Sequence, residues 1–244
     1  MIQLNIKSAG KIVSASIMFE STKKYCKDFI CEDNAEISVT ITPEDIALER
    51  EKAAREDALE GLPARDLPDA LLEITALQRK IAEEFFERDI LLFHGSVVAV
   101  DGQAYLFTAK SGTGKSTHTR LWREVFGDRA VMVNDDKPFL EITGTGVTVH
   151  GSPWNGKHRL GQNISVPLKA ICILERGQEN RIVEITPRQA LPMLLQQSQR
   201  PMDRRKLPMY LELIDRLSSR VRFYRMQCNM DPQAAVLARE TMSR

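Results

Sequence analysis

The segment from Phe107 to Thr117 restricts the possible folds of this chain more than any other. It reads Phe-Thr-Ala-Lys-Ser-Gly-Thr-Gly-Lys-Ser-Thr, with an apolar run (104–107) before it and a helix-like run (119–126) after it. Closely spaced glycines between a strand and a helix let successive backbone N–H groups point at phosphate oxygens, and the helix adds the positive end of its dipole. The segment therefore predicts a phosphate-binding loop of the G-x-x-x-x-G-K-[ST] type.

Within this loop the nucleotide-binding positions are predicted to be Ser111, Gly112, Thr113, Gly114, Lys115, Ser116 and Thr117. Lys115 would contact the β- and γ-phosphates, and the Ser116 hydroxyl would ligate Mg²⁺ or Mn²⁺. Ala109 stands where the first glycine of the motif is expected. A methyl group is tolerated there if Ala109 has a negative φ, while Gly112 and Gly114 supply the freedom that the turn needs. The alternative is a glycine-rich turn that binds nothing.

Composition is that of an ordinary soluble globular protein, with 43% hydrophobic and 27% charged residues in 244. The net charge of +1 does not indicate binding to nucleic acid or to an anionic membrane. No apolar run approaches the roughly 20 residues that span a bilayer, and the polar start 1–5 lacks the apolar region of a signal peptide. We therefore expect a cytoplasmic protein that contacts neither nucleic acid nor membrane.

The four cysteines, Cys26, Cys31, Cys172 and Cys228, agree with that compartment because none forms a C-x-x-C pair. Cys172 lies in an apolar run and is expected to be a buried thiol. Cys26 and Cys31 are close in sequence, so a redox pair between them stays open.

The first part of the chain predicts a small α+β lobe over residues 1–89. Alternating residues indicate a hairpin over 2–19 that turns at Ala9-Gly10, and a third strand over 35–41. Thr42 and Pro43 are typical of a helix start, and Gly61 of its end. A connector over 62–68 is followed by a second helix, about 69–88, with one apolar face.

From Ile90 the pattern changes to that of an α/β domain, predicted over residues 90–244. The predicted elements are strands 96–100, 103–108 and 130–133, helix 115–126, a hairpin over 139–150, a buried strand over 168–174, helices 187–199 and 203–219, strand 221–224 and a last helix that starts at Asp231-Pro232.

Asp135 and Asp136 directly follow the strand after the loop. Carboxylates at the C-terminal end of a strand beside a phosphate loop lie where an α/β site is expected. Phosphoryl transfer needs a metal held against the phosphates and a proton acceptor, and two adjacent carboxylates can divide these tasks. The alternative is a solvated turn.

Three further features could belong to the site. His94-Gly95 precedes the strand that leads into the loop, and Gly95 would permit close approach of another segment. In the stretch 151–159, Trp154, Lys157 and Arg159 could clamp a phosphate or an anionic acceptor, or could form an exposed connection with an anchoring Trp. The basic cluster over 200–206 is expected to be a solvated face, with acceptor recognition as the minority interpretation, and His118 and His150 are expected to be structural.

The order His-Gly, strand, Ser-Gly-Thr-Gly-Lys-Ser loop, helix, strand, Asp-Asp resembles the catalytic core of HPr kinase/phosphorylase and, more distantly, of phosphoenolpyruvate carboxykinase. The resemblance covers about 90–176. His94-Gly95 matches the His-Gly before the first core strand, residues 111–116 match the loop, and Asn134-Asp135-Asp136 matches the Asp-Asp segment. It implies an α/β fold with a P-loop core and a mixed sheet, together with the small N-terminal α+β lobe.

The resemblance also implies roles for single residues. Asp135 would accept the proton from the substrate hydroxyl, Asp136 and Ser116 would ligate the metal, and His94 would lie beside the second Asp or the γ-phosphate. Lys115 completes the catalytic set. The division of roles between Asp135 and Asp136 stays open at this point.

Two departures from the family affect the expected substrate. Residues 1–89 do not look like the regulatory domain of HPr kinase, and the long C-terminal signature loop of the bifunctional enzyme is not found. Residues 153–157 instead look like a loop of small HPr kinase-like proteins, which are presumed to phosphorylate a hydroxyl of a small molecule or peptide. HPr itself is therefore doubtful as the acceptor.

The leading hypothesis is a Mg²⁺-dependent kinase that transfers the γ-phosphoryl group of ATP, or of GTP, to an alcohol. A carboxykinase or phosphorylase reaction at the same site is a second hypothesis. A nucleotide-binding regulatory module without turnover is a third, since Ala109 could mark weakened phosphate binding. The sequence does not decide the acceptor, the preferred nucleotide or whether the chain forms a homo-oligomer.

Overall fold

The computed structural model describes residues 1–244, which divide into two compact units, residues 1–85 and residues 86–244. Both units combine strands and helices, so the predicted α/β class is confirmed at that level. No helix combines the length and apolarity needed to cross a bilayer.

The first unit contains a four-stranded sheet in the order β3-β1-β2-β4. Its strands are β1 (Ile2–Ser8), β2 (Lys11–Ile17), β3 (Ile30–Cys31) and β4 (Ile37–Thr40). β1 and β2 form the predicted antiparallel hairpin, with Ala9 and Gly10 both at positive φ in its turn. β4 pairs with β2 in parallel, which confirms the predicted third strand of this sheet.

Three helices complete this unit: α1 (Glu20–Tyr25), α2 (Pro43–Leu59) and α3 (Asp69–Phe86). The predicted start of α2 is confirmed, because Thr42 forms a capping box with Asp45. Within the unit, Arg79 of α3 reaches back to two α2 carboxylates, Asp45 at 2.9 Å and Glu49 at 2.5 Å. All three side chains are nearly buried, so this is an internal ionic cluster.

α1 was not predicted, because the group that stabilises its start is distant in sequence. The buried carboxylate of Glu73 accepts hydrogen bonds from the backbone N–H groups of Met18 and Phe19 and from the Thr22 hydroxyl. These bonds satisfy donors at the helix N-terminus that no local side chain caps.

The second unit contains a nine-stranded mixed sheet. Its strands are β5 (Ile90–Leu92), β6 (Ser96–Val100), β7 (Gln103–Thr108), β8 (Ala130–Asn134), β9 (Phe139–Ile142), β10 (Val147–His150), β11 (Ser165–Arg176), β12 (Arg181–Ile185) and β13 (Arg222–Cys228). The 12-residue β11 is shared by two parts of the sheet. Its first residues pair with β10 in an antiparallel ladder, and its later residues run parallel to both β7 and β13.

Helices cover both faces of the central strands: α4 (Lys115–Phe126), α5 (Pro187–Gln197), α6 (Leu207–Arg220) and α7 (Gln233–Met242). Successive residues of β7 face opposite sides of the sheet, as the period of a strand requires. Leu106 belongs to the core that includes α5 and α6, whereas Tyr105 and Phe107 belong to the core that includes Trp122 of α4 and residues of α7.

Several element boundaries differ from the sequence-based expectation. β5 and β12 were not predicted, since the first has three residues and the second exposes most of its side chains. α6 begins at Leu207 because residues 204–206 form a 3₁₀ turn capped by Asp203, and β13 extends to Cys228. All four cysteines are free thiols in the structure, with no bond between Cys26 and Cys31.

Candidate functional site

The glycine-rich segment forms a loop between β7 and α4, as its sequence predicted. Gly112 has φ +72° and Gly114 has φ +121°, while Ala109 is buried and is not in the left-handed region. The two glycines therefore supply the backbone conformation that side chains disfavour, and the alanine does not strain the loop. Lys115 Nζ lies across the loop and donates to the Ala109 carbonyl at 3.2 Å.

Arg176 fixes the outer side of the same loop from the C-terminal end of β11. Its guanidinium donates to the carbonyl oxygens of Gly112 at 2.5 Å and of Thr113 at 3.4 Å. Because these carbonyls are engaged by the arginine, they do not compete for the space in which the loop N–H groups would meet phosphate.

The Asp pair lies in the connection from β8 to β9, and Asn134 shapes that connection. The buried Asn134 side chain accepts from the backbone N–H groups of Asp136 at 2.9 Å and Lys137 at 2.7 Å, and it donates to Ser152. Such a turn directs the two adjacent carboxylates into different surroundings.

Asp135 is buried, with 6% of its surface exposed, and its Oδ1 accepts from the Gly156 backbone N–H at 2.6 Å. The lack of a side chain at Gly156 permits this close contact. A Cβ at residue 156 would lie 2.8 Å from Asp135 Oδ2 and 3.0 Å from its Cγ. The loop after β10 therefore holds the Asp135 carboxylate through the backbone N–H of a glycine.

Asp136 faces a cluster of basic side chains. Its carboxylate lies 3.4 Å from His94 Nε2 and 3.9 Å from Lys137 Nζ, and burial raises its pKa against the opposing effect of Lys137. Burial, with Lys137 and Lys115 nearby, lowers the pKa of His94 to about 3. His94 is thus neutral near pH 7, and its contact with Asp136 joins an imidazole and a carboxylate rather than two ions.

Gly95 permits the close approach that its sequence position indicated. A Cβ there would lie 2.9 Å from a Leu106 methyl group, and the Gly95 N–H donates to the Asp136 carbonyl at 3.0 Å. The His94-Gly95 pair is therefore tied directly to the Asp pair.

Two cavities flank the start of α4. The first has a volume of about 440 Å³, and its wall includes Ser116, Thr117, Arg120, Arg123, Asp135 and His158. The second, of about 460 Å³, is lined by Gly112, Thr113, Gly114, Thr117, Arg176 and Met230, among others. Thr117 lines both, so both cavities adjoin the first turn of α4.

The stretch 151–159 is only partly placed as its sequence suggested. Trp154 is buried, and its ring packs edge-on against Phe139 at 6.1 Å, which agrees with an anchoring role. Lys157 and Arg159 are exposed, and neither lines the cavity beside Asp135. His158, between them, does line it.

Sequence reasoning did not single out Arg120 and Arg123. They lie three residues apart on α4, so they share one face of the helix, but exposed helical arginines are usually solvated. The signal that could have identified them is their spacing from Ser116, which places them on the turns that follow the loop.

His118, His150 and two residues of the 200–206 cluster have structural partners. His118 is buried, accepts from Trp122 Nε1 at 3.1 Å and packs on Phe107, and burial lowers its pKa to about 4. His150 contacts Ser165 at 2.7 Å and Glu141 at 3.2 Å. In the 200–206 cluster, Arg205 pairs with Asp203 and Lys206 with Glu87.

No group of three or more His, Cys, Asp or Glu side chains is arranged to hold a metal ion. The Ser116 hydroxyl and the Asp135 carboxylate line the same cavity, and Asp136 is the next residue in the chain. A cation held here would need further oxygen ligands from a bound molecule, which is the coordination that Mg²⁺ adopts with nucleotide phosphates.

The family model for "SynChlorMet cassette protein ScmC" matches residues 62–236, well over half of the chain. The chain belongs to the ScmC family. The matched span includes the glycine-rich loop, the Asp pair and the arginines of α4, so the candidate site lies inside the part that defines ScmC. No curated protein sequence matches the chain.

Among solved structures, the chain is similar to the HPr(Ser) kinase/phosphatase from Coxiella burnetii. The two share 10% identity with a TM-score of 0.36, over 63% of this chain and 99% of the other. This is a distant structural resemblance.

Proposed function

We propose that this ScmC-family protein is a phosphotransferase that moves the γ-phosphoryl group of a nucleoside triphosphate to a hydroxyl. One observation carries the proposal: the loop hydroxyl Ser116 and the buried carboxylate Asp135 line the same cavity, while the glycines of the loop line a second cavity that shares Thr117 with the first. Donor and acceptor would then approach the start of α4 from two sides.

The donor would occupy the side with the glycines. Residues 111–117 would bind its phosphates through backbone N–H groups, and Lys115 would exchange its bond to the Ala109 carbonyl for the phosphate oxygens. ATP is the donor that we would test first, with GTP as the alternative.

The oxygen ligands available from the protein suit Mg²⁺, which favours a few protein oxygens supplemented by phosphates. Ser116 and Asp136 would hold it, and Mn²⁺ would suit the same ligands. When bound, the ion neutralises charge on the β- and γ-phosphates.

Asp135 would act as the proton acceptor. The acceptor oxygen forms a new bond to the γ-phosphorus, the bond from that phosphorus to the β,γ-bridging oxygen breaks, and the diphosphate leaves. The hydroxyl proton passes to the Asp135 carboxylate, which the Gly156 N–H holds in place. Neutral His94 would orient Asp136 through its 3.4 Å contact.

The test combines nucleotide binding with transfer from γ-labelled ATP into a broad mixture of hydroxyl metabolites, read by mass spectrometry. Asp135→Asn should lower transfer by about 10²- to 10⁴-fold while the affinity for a non-hydrolysable ATP analogue stays within a few-fold. Asp215→Asn, an exposed acid on α6, is the matched control and should behave as wild type.

Each alternative hypothesis has its own outcome. Wild-type transfer by Asp135→Asn would refute the base assignment. Release of CO₂, pyrophosphate or inorganic phosphate in place of a phosphorylated alcohol would favour the carboxykinase or phosphorylase reaction. Tight ATP binding that depends on Lys115, with no product from any acceptor, would favour a regulatory module.

A further inference from the structure

The cavity beside Asp135, here called the acceptor cavity, carries positive charge that the transfer step does not use. Arg120 and Arg123 lie on its α4 wall, and His158 enters from the loop after β10. Met132 and Leu160 form an apolar part of the wall. A cavity that received only a neutral alcohol would have no need for two guanidinium groups.

We infer that the acceptor carries an anionic group, a carboxylate or a phosphate, and that Arg123 and Arg120 bind it. This inference rests on the proposed function, because it identifies the class of molecule that would bring its hydroxyl to Asp135. Guanidinium groups suit this task because their planar N–H pairs match carboxylate and phosphate oxygens.

The charges around the cavity favour one orientation of such a molecule. Arg120 is partly neutralised by Glu124 at 3.1 Å, and both side chains are largely exposed. Arg123 is partly buried and pairs with no carboxylate, although Asp128 lines an adjoining cavity that also includes Arg123. An anion is repelled by Asp135 and attracted by Arg123, so the hydroxyl end would point to Asp135 and the charged end away from it.

The helix sets the separation between the two ends. With a rise of about 1.5 Å per residue, Arg120 lies about 6 Å and Arg123 about 10 Å along α4 from Ser116. Helical side chains lean toward the N-terminus, which brings both guanidinium groups closer to Ser116 than these values. Because Ser116 and Asp135 line the same cavity, an anion on these guanidinium groups would be held within about 10 Å of the loop hydroxyl, which suits a small acceptor.

The adjoining cavity, about 520 Å³, shares Arg123, Met132 and Leu160 with the acceptor cavity. Arg123 therefore lines both the acceptor cavity and the adjoining cavity. A larger acceptor could extend past it while its anionic group stays on the same guanidinium.

The experiment uses the full chain loaded with Mg²⁺ and a non-hydrolysable ATP analogue, so that added anions cannot occupy the loop. Glycerate, glycerol 3-phosphate and neutral glycerol are titrated by calorimetry. At least one anionic probe should bind and glycerol should not, and the stronger of the two anions distinguishes a carboxylate site from a phosphate site.

Arg123→Gln should weaken binding of that anion by about 10- to 100-fold, the usual effect of losing a charge-assisted hydrogen bond. Arg123→Lys should retain part of it, and Arg188→Gln, an exposed arginine on α5, should change nothing. The affinity for the ATP analogue and the thermal midpoint should be the same in all variants, which separates a lost contact from a lost fold.

Unchanged anion binding in Arg123→Gln would overturn the inference, and so would failure of both anions to bind a protein that binds the analogue. Failure to bind the analogue is a different result, because it counts against the proposed function. In that case the anion titrations are repeated without nucleotide. Binding to the wild type that is lost in Arg123→Gln would still support an anion site in the acceptor cavity.

Discussion

Gly156→Ala is the substitution that most directly tests how Asp135 is held. The new methyl group would lie 2.8 Å from Asp135 Oδ2 and 3.0 Å from Cγ. Residue 156 is not in the left-handed region, so alanine can adopt its backbone conformation without strain. The whole effect should therefore come from displacement of the carboxylate.

The size of the effect follows from these distances. Carbon and its neighbours normally approach to about 3.5 Å, so the carboxylate must move by roughly half an ångström to one ångström, and its 2.6 Å bond from the Gly156 N–H must lengthen. A misplacement of about 1 Å can cost about 10²-fold in rate, so we expect a loss of about 10- to 100-fold in transfer. Weakening of the single charge-assisted bond should cost about 1 to 2 kcal/mol of stability.

The assay compares transfer rate, ATP-analogue affinity and urea denaturation in the same preparations. Gly144→Ala is the matched control, because a Cβ at residue 144 meets nothing within 4 Å and its backbone is not left-handed. It should leave all three quantities unchanged, whereas Gly156→Ala should lower transfer and leave nucleotide affinity close to wild type.

Two results would refute this reasoning. Full transfer activity in Gly156→Ala would mean that the position of Asp135 does not limit the reaction. A loss of transfer that matches an equal loss of folded protein would mean that Gly156 supports the fold rather than the carboxylate.

Two further predictions concern stability. The pKa of His118 is about 4 in the folded state and about 6.5 in the unfolded chain. As the pH falls, the unfolded chain therefore takes up the proton first. The free energy of unfolding should drop by roughly 2 kcal/mol from pH 7 to 4.5. Urea titrations should show a smaller drop for His118→Gln, and equal slopes would contradict the assignment. Arg79→Met removes the buried partner of Asp45 and Glu49, which keep the more exposed Lys80 and Lys52, and should cost about 2 kcal/mol, whereas Lys7→Met, in an exposed pair, should cost under about 1 kcal/mol. Similar costs for both would show that burial does not decide the energetics.

Features determined by short stretches of chain were predictable from sequence. The glycine-rich loop, the capping box at Thr42 and the Ala9-Gly10 turn depend on local backbone geometry, which residue type limits strongly. The proximity of His94 to Asp136 was expected only from the resemblance to HPr kinase, and in the structure the two residues flank strands that pair with each other.

Features that depend on distant partners were not predictable in this way. α1 needs Glu73, about 50 residues later, and β12 exists only through its pairing with β13. The acceptor cavity needs the 151–162 loop to fold back on β8, where the Gln162 N–H donates to the Val133 carbonyl. Arg123 and His158 line the same cavity only because of this fold, and the sequence alone does not place them together.

The length of β11 has a consequence for how the second unit can move. The first residues of β11 pair with β10, and its later residues pair with both β7 and β13. The connection with Asp135 and Asp136 joins β8, paired to β6, with β9, paired to β10, so it bridges the same two parts of the sheet. Bending of β11 would therefore strain the connection that carries the two carboxylates, because its ends are held in different parts of the sheet. Amide hydrogen exchange should find the middle of β11 among the slowest backbone positions, and the two parts should open together as one cooperative unit.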